Sequence, residues 1–291
     1  MNYRRADPLN FLGIRGKESE KDFSRILILP VPYETSTSFI RGTKLAPMKI
    51  IEASNFLEYY EEEMGWEPYK LGIHTLEPVE LSLSIEASLK IIEEAAEEII
   101  SSDRFIIFLG GEHTISYPIV KALLKKRENK FSVLQLDAHP DIRDIYEGTK
   151  FSHSCVMRRI LEIGVEITGL GIRAISLEER KFIRENTNYR LFEMSDILKE
   201  GWENDMLDSL NEDVYLSIDM DVFDPSIVPG VGTPEPGGMT WEKMTSLLRK
   251  LSKKKKIIGA DFVEISPIPL NPTSEYTTAK LIYKLISYIF G

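Results

Sequence analysis

Four apolar runs in this chain end in groups able to do chemistry. "FIIFLGGEH" closes on Glu112 and His113, and "FSVLQLDAHPDIRD" (131–144) places Asp137, His139 and Asp141 at alternate positions. "VYLSIDMDVFD" ends in Asp219, Asp221 and Asp224, and "IIGADFVEIS" in Asp261 and Glu264. Carboxylates gathered at the ends of buried strands repel one another unless cations neutralise them, and a metal is the simplest cation. Residues i and i+2 of an extended chain project to one side, so Asp137, His139 and Asp141 can meet at one centre, and Asp219 with Asp221 likewise. Adding His113 gives four carboxylates and two imidazoles, too many for one tetrahedral zinc. The set suits two divalent ions roughly 3.5 Å apart. Hard oxygen donors with two imidazoles favour manganese, and four Asp charges balance two such ions.

Taken singly, D-x-H-x-D also fits a surface turn, and D-x-D is commoner as a helix cap or a calcium-like loop. What favours the metal reading is that both follow apolar runs directly and are joined by G-G-E-H after a third. Two of the chain's four histidines fall in this cluster; His74, in "LGIHTLEP", does not and is given no role.

The elements that must hold these groups alternate in type. Short runs rich in Ile, Val and Phe ("RILILPVPY", "RFIIFLGG", "FSVLQLDA", "ITGLGIRA", "VYLSIDMD", "IIGADFVEIS") lack in-and-out alternation, as strands buried on both faces do. Between them the 3.6-residue apolar period predicts helices over 84–100, 116–126, 155–163, 241–251 and 274–290. Strand alternating with helix implies right-handed crossovers and a mostly parallel sheet covered on both sides, with ligands beyond the carboxyl ends of the strands. No repeat, low-complexity tract or linker divides residues 1–291, which read as a single domain.

Composition excludes several classes. A chain that is 43% hydrophobic and 28% charged is an ordinary globular one, and its apolar stretches fall short of the roughly 18–20 residues that span a bilayer. The N-terminal "MNYRRADPLNFLG" has no apolar run behind its charges and does not read as a secretory signal, and the single cysteine, Cys155, cannot form an internal disulfide. Both fit a cytoplasmic protein. A net charge of −10 argues against a nucleic-acid partner and favours a small cationic or neutral one. No G-x-G-x-x-G or P-loop supports a nucleotide cofactor. Cys155 reads as packed and inert.

"GGEHTIS" (110–116), "DAHPDIRD" (137–144), "SHSCVMRR" (152–159), "SIDMDVFDPSIVPGVGTPEPGG" (217–238) and "DFVEISP" (261–267) resemble, in order, the motifs of the ureohydrolases, the arginase and agmatinase family. The upstream "VPYETSTSFIRGTKLAPMKIIEAS" (31–54) resembles its N-terminal motif. The resemblance implies a three-layer α/β/α fold with an eight-stranded, mostly parallel sheet, and a homo-oligomer, trimer or hexamer. It implies one manganese on His113, Asp137, Asp141 and Asp219 and a second on Asp137, His139, Asp219 and Asp221. His153 then matches the proton-shuttling histidine, Glu264 the carboxylate that receives the guanidinium, and Thr233 a threonine near it. From the residues alone, His153 serves equally as a cap for the helix that follows.

The implied reaction is attack of an ionised water on a guanidinium carbon, releasing urea and an amine whose departure needs a proton. The segment after D-x-H-x-D, "IRDIYEGTKFSHSCVMRR", lacks the Asn and Ser/Thr run that receives the α-carboxylate of arginine, and resembles agmatinases. The expected substrate is therefore agmatine, giving putrescine and urea; the alternatives are a guanidinobutyrase, a guanidinopropionase or an arginase. A two-metal phosphohydrolase would call for basic donors at the phosphate, whereas the motif segments offer chiefly acids, except around Arg143, Arg158 and Arg159, and a non-catalytic relative would be expected to lack a ligand or His153. Arg143 is read as a structural ion pair with Asp144 or another acid, against a role in holding a substrate carboxylate.

Overall fold

A computed structural model describes residues 9–100, 103–127, 130–197 and 199–291; the stretch 1–8, where the reading of the N-terminus begins, lies outside the described residues. Eight strands form one sheet in the order β2-β1-β3-β8-β7-β4-β5-β6. They are β1 (Ile26–Val31), β2 (Ile73–Thr75), β3 (Phe105–Gly110), β4 (Phe131–Leu136), β5 (Glu166–Ile172), β6 (Tyr189–Glu193), β7 (Asp213–Asp219) and β8 (Lys256–Val263). Every strand pairing is parallel, so the sheet goes further than the mostly parallel one expected.

The six apolar runs are β1, β3, β4, β5, β7 and β8. All residues of β1, β3, β4 and β7 are buried, as strands covered on both faces must be. The two strands that the sequence did not announce are the sheet's edges. β2 has three residues, one of them buried, and β6 only one buried residue of five, so neither carries a continuous apolar run.

The expected helices are α2 (Ile85–Ile99), α3 (Ser116–Lys126), α4 (Val156–Glu162), α7 (Trp241–Lys254) and α8 (Thr273–Phe290); α1 (Ala46–Ser54), α5 (Leu177–Glu185) and α6 (Trp202–Asp208) join them. Two cores separate the layers. Ile28, Ile107, Leu134 and Leu216 pack with Ile50 of α1, Met206 of α6, Leu248 of α7 and Ile282 of α8. On the opposite face, Leu27, Phe108 and Val133 pack with Ile92 of α2, Ile119 of α3 and Met157 of α4. Among the described residues no helix is long and apolar enough to cross a membrane.

The order β3-β8-β7-β4 sets four strands side by side at the middle of the sheet, and these are the four whose sequence runs end in acids and histidines. Their carboxyl ends form a single rim. At that rim Gly111 passes so close to another segment that a Cβ there would lie 2.0 Å from the carbonyl oxygen of Tyr33, which restricts the position to glycine.

Candidate metal centre

His113 opens the helical turn His113–Ile115 just after β3 and is fully buried. Its Nε2 lies 2.8 Å from Ser217 Oγ, which donates to Asp261 Oδ1 at 2.9 Å; Tyr215 donates to the other oxygen of Asp261 at 2.9 Å. Nδ1 of His113 is thereby turned to three carboxylates, at 3.0 Å from Asp141, 3.2 Å from Asp137 and 3.5 Å from Asp219. Nδ1 carries one hydrogen at most, so it cannot satisfy three acids.

The D-x-H-x-D segment converges by a different device from the one expected. β4 ends at Leu136, and the chain then turns: Asp137 Oδ1 accepts from the backbone N of His139 at 2.6 Å, and Asp141 adopts a left-handed φ of 50°. Asp219 repeats the turn, accepting from the backbone N of Asp221 at 2.9 Å. Local side-chain-to-backbone turns, rather than strand alternation, bring the i and i+2 groups together. Across the gap between these strands, Asp221 Oδ1 accepts from the backbone N of Ala138 at 3.0 Å, and His139 Nδ1 lies 2.9 Å from Asp221 Oδ2. Gln135 Nε2 donates to Asp137 Oδ2 at 2.7 Å and to the His139 carbonyl at 2.9 Å, and is itself oriented by Tyr189 OH on its Oε1 at 2.9 Å.

Two donor groups result: His113, Asp137, Asp141 and Asp219, and Asp137, His139 and Asp221. Asp137 belongs to both, as expected of a bridge; Asp219 falls only in the first, its Oδ1 being held by the Asp221 backbone. The electrostatics fit cations. Burial, with the charges of Asp141 and Asp221, pushes the Asp137 carboxyl up to about 7. Burial and the charge of Asp221 hold Asp219 well above the usual range. Burial opposes charge on both histidines, yet their carboxylate neighbours outweigh it: His113 stands well above its ordinary value and His139 at about 10. Burial would raise Asp221 too, but His139 beside it brings it down to about 2. Like charges this close need protons or cations, and oxygen donors with two imidazoles suit two divalent ions.

Glu264 follows β8 with a left-handed φ of 65°, a conformation that costs a non-glycine residue energy and concentrates at functional sites. Its Oε1 accepts from the His113 backbone N at 2.7 Å, and a Cβ at Gly232 would stand 3.3 Å from its Oε2. Burial, with the charge of Glu112 adding to it, raises its pKa well above the usual range. Thr233 donates to Asp221 Oδ2 at 3.4 Å. Asp224, at the end of the same motif, is spent elsewhere: it accepts from Ser226 and from the backbone N of Gly237 and Gly238, which pins the loop 224–238.

His153 caps no helix. Its Nδ1 lies 3.1 Å from Ser36 Oγ, and its ring meets Tyr146 edge-on at 5.6 Å. Arg143 pairs with Glu179 (Nε to Oε1 3.8 Å) and lies over Tyr146, whereas Asp144 is taken by Arg159 at 2.8 Å. Cys155 is buried and its thiol pushed up to about 11 by burial, so it is inert as expected. His74 lies on the edge strand β2 and binds the Ser19 carbonyl at 2.8 Å.

Sequence reading missed the supports. Gln135 and Ser217 left a signal, each a polar residue within a fully buried strand and each two positions before an Asp of the cluster. Arg173 left none: its guanidinium donates to the carbonyls of Gly171, Asp221, Val222, Phe223, Glu235 and Pro236, clamping the segment that carries Asp221.

The sequence profile of the arginase family matches residues 24–291. The chain is similar to an N(1)-aminopropylagmatine ureohydrolase of Synechocystis (39% identity, covering 97% of this chain and 94% of the relative). It is also similar to an agmatinase of Pyrococcus horikoshii (37% identity, 89% and 90% covered). Among solved structures, the agmatine ureohydrolase of Thermoplasma volcanium superposes with a TM-score of 0.83 at 30% identity, over 99% of this chain and 95% of that one. Four adjacent strands that deliver acids and histidines to one rim, in a chain matched from residue 24 to its last residue, establish it as a hydrolase of the arginase family.

Proposed function

We propose that this chain releases urea from agmatine, or from agmatine carrying an aminopropyl group on its free amine, using two manganese ions. The observation that carries the reading is the pair of donor groups sharing Asp137 beside the buried carboxyl of Glu264. His113, Asp137, Asp141 and Asp219 would hold one ion, and Asp137, His139, Asp221 and the shared Asp219 the other. When bound, two such ions supply Lewis acidity and an ionised water near neutral pH.

The chain's own residues do the rest. Glu264 binds the guanidinium through charge-assisted hydrogen bonds, its reach fixed by the His113 backbone on one oxygen and by Gly232, too small to crowd it, on the other. Thr233 steadies Asp221. His153 gives a proton to the departing amine nitrogen, so that addition of water to the guanidinium carbon and loss of the carbon–nitrogen bond yield urea and an amine.

The relatives favour the agmatine class, and Arg143 is consistent with it. The cleft of about 280 Å³ lined by His139, Asp141, Arg143, Ser176 and Glu179 offers a substrate no unpaired cation, because Glu179 faces Arg143; arginine or 4-guanidinobutanoate would bring a carboxylate with no partner. The other arginines weigh against a phosphohydrolase: Arg158 pairs with Glu162, and Arg159 with Asp144 and Glu162. We further propose that residues 1–291 act as one domain in a trimer or hexamer, to be read by sedimentation. Urea release with added Mn²⁺, from agmatine, N1-aminopropylagmatine, arginine and 4-guanidinobutanoate side by side, tests the function. Turnover of either of the first two well above the others is expected, and no urea from either would overturn the reading.

A further inference from the structure

Glu112 precedes the ligand His113 in sequence, yet its side chain points away from the acid cluster's demand for cations. It is fully buried and accepts four hydrogen bonds: from the backbone N of Thr35 and of Ser36, from Ser36 Oγ and from Thr114 Oγ1, each at 2.7 Å. The hydroxyl hydrogen of Ser36 is thus committed to a carboxylate. The lone pairs of that hydroxyl face His153, one receiving its backbone N–H at 3.0 Å and the other lying 3.1 Å from its Nδ1.

We propose that Ser36 is a positioning residue, relaying the Glu112 carboxylate to His153 so that the ring proton sits on Nδ1 and Nε2 is the nitrogen that exchanges protons with the departing amine. This rests on the role given to His153 above. A hydroxyl that already donates to a carboxylate can only accept from the imidazole, so Nδ1 must be the donor. The Ser152 hydroxyl, 3.4 Å from the same nitrogen, is a weaker competitor. Nε2 makes no hydrogen bond to any described residue. Because Ser36 holds both backbone and ring of His153, it fixes orientation along with tautomer, as an orienting group does for a catalytic histidine.

A second relay in the same molecule supports the assignment by contrast. Asp261, Ser217 and His113 repeat the carboxylate–serine–histidine order, but Ser217 meets Nε2 and leaves Nδ1 to the acid cluster. Each serine takes one ring nitrogen of its histidine and leaves the other for chemistry. Of the acids that end the four strand runs, Glu112 and Asp261 are the two placed behind a histidine rather than in front of it.

The test combines kinetics with the tautomer itself. Ser36→Ala in the manganese enzyme should lower kcat about tenfold or more, part of what a displaced general acid costs, with KM and metal content little changed. Ser36→Thr, which keeps the hydroxyl, should restore most of the loss, and Ser36→Ala should cost nothing further in a His153→Asn background. Nitrogen-15 solid-state NMR of the zinc-loaded protein should show an Nδ1–H histidine signal that His153→Asn removes and Ser36→Ala shifts toward Nε2–H. A wild-type kcat in Ser36→Ala, an equal loss in both backgrounds, or an unmoved tautomer would each overturn the relay. If the wild type forms no urea, the function above has failed, and the NMR arm still decides whether Ser36 sets the tautomer.

Discussion

Ser217 Oγ lies 2.8 Å from Nε2 of His113 and is itself anchored on Asp261. Because that bond occupies the outer nitrogen, the inner one is committed to Asp137, Asp141 and Asp219 before any ion arrives. Groups behind a metal ligand set its tautomer and direction, and their loss typically lowers metal affinity about 10–100-fold. Ser217→Ala should therefore weaken binding of the ion that His113 would hold by about that factor while the fold survives. Titration of the metal-free protein with Mn²⁺ against a chelator measures it, and an affinity within about twofold of wild type would show that the packing of His113 alone suffices.

The ion pair of Arg143 with Glu179 predicts a change in selectivity. Glu179 is buried and also caps α5 through Ser176, so its charge is held in place beside Arg143. Glu179→Gln keeps the shape and leaves Arg143 uncompensated. With only its Arg143 partner exposed and the two groups 3.8 Å apart, the pair is worth about 1 kcal/mol, so the ratio of kcat/KM for 4-guanidinobutanoate over agmatine should rise roughly fivefold. Both substrates losing activity in proportion would mean that Arg143 does not face the bound substrate.

Arg173 predicts that a conservative exchange is not conservative. Six carbonyl oxygens converge on one planar guanidinium. The lysine ammonium is a point donor that cannot reach the two sides of that loop at once. Arg173→Lys should cost about 2 kcal/mol, the scale of one or two carbonyls left without partners. It should also weaken metal binding, since the Asp221 carbonyl is among those released. Denaturant midpoints and the manganese titration give the two readouts; an unchanged midpoint would sink the clamp.

What the sequence disclosed and what it hid follow from how far each interaction reaches. The middle strands were legible because burial on both faces demands an unbroken apolar run, and the proposed ligands because acids at the end of such a run are costly without a cation. The order of the strands was not legible. Ser36 meets Glu112 across 76 residues, and Ser217 meets His113 across 104, so neither serine has a local signature of its role. The edge strands β2 and β6 were hidden because half-exposed strands keep their polar residues. Arg143 sat next to Asp144 in sequence, but the irregular chain after Asp141 points them to different partners, Glu179 and Arg159.

Far from the rim, a second charged cluster sets the acid stability of the fold. Lys284 of α8 is buried and reaches Glu61 at 2.6 Å, Glu63 at 3.0 Å and Glu62 at 3.4 Å. The hydrogen bond from Lys280 is the main cause that brings Glu62 down from 4.5 to about 2. Burial works against Glu63, but Tyr288 and Lys284 outweigh it and lower its pKa as well. Carboxylates depressed in the folded state add stability above their ordinary value of 4.5 and lose it as pH falls toward their folded values. The wild-type melting temperature should therefore fall between about pH 4.5 and 2 partly through this cluster. Lys284→Met leaves Glu61 buried without its cation and should cost about 3 kcal/mol at neutral pH, as breaking a buried pair does. Because Glu63 then approaches its ordinary value, the variant's melting curve should also be shallower across that acid window. Melting temperatures of both proteins from pH 7 to pH 2 decide the matter: parallel curves would mean that the acids of this cluster titrate alike with and without Lys284, and that its role is packing alone.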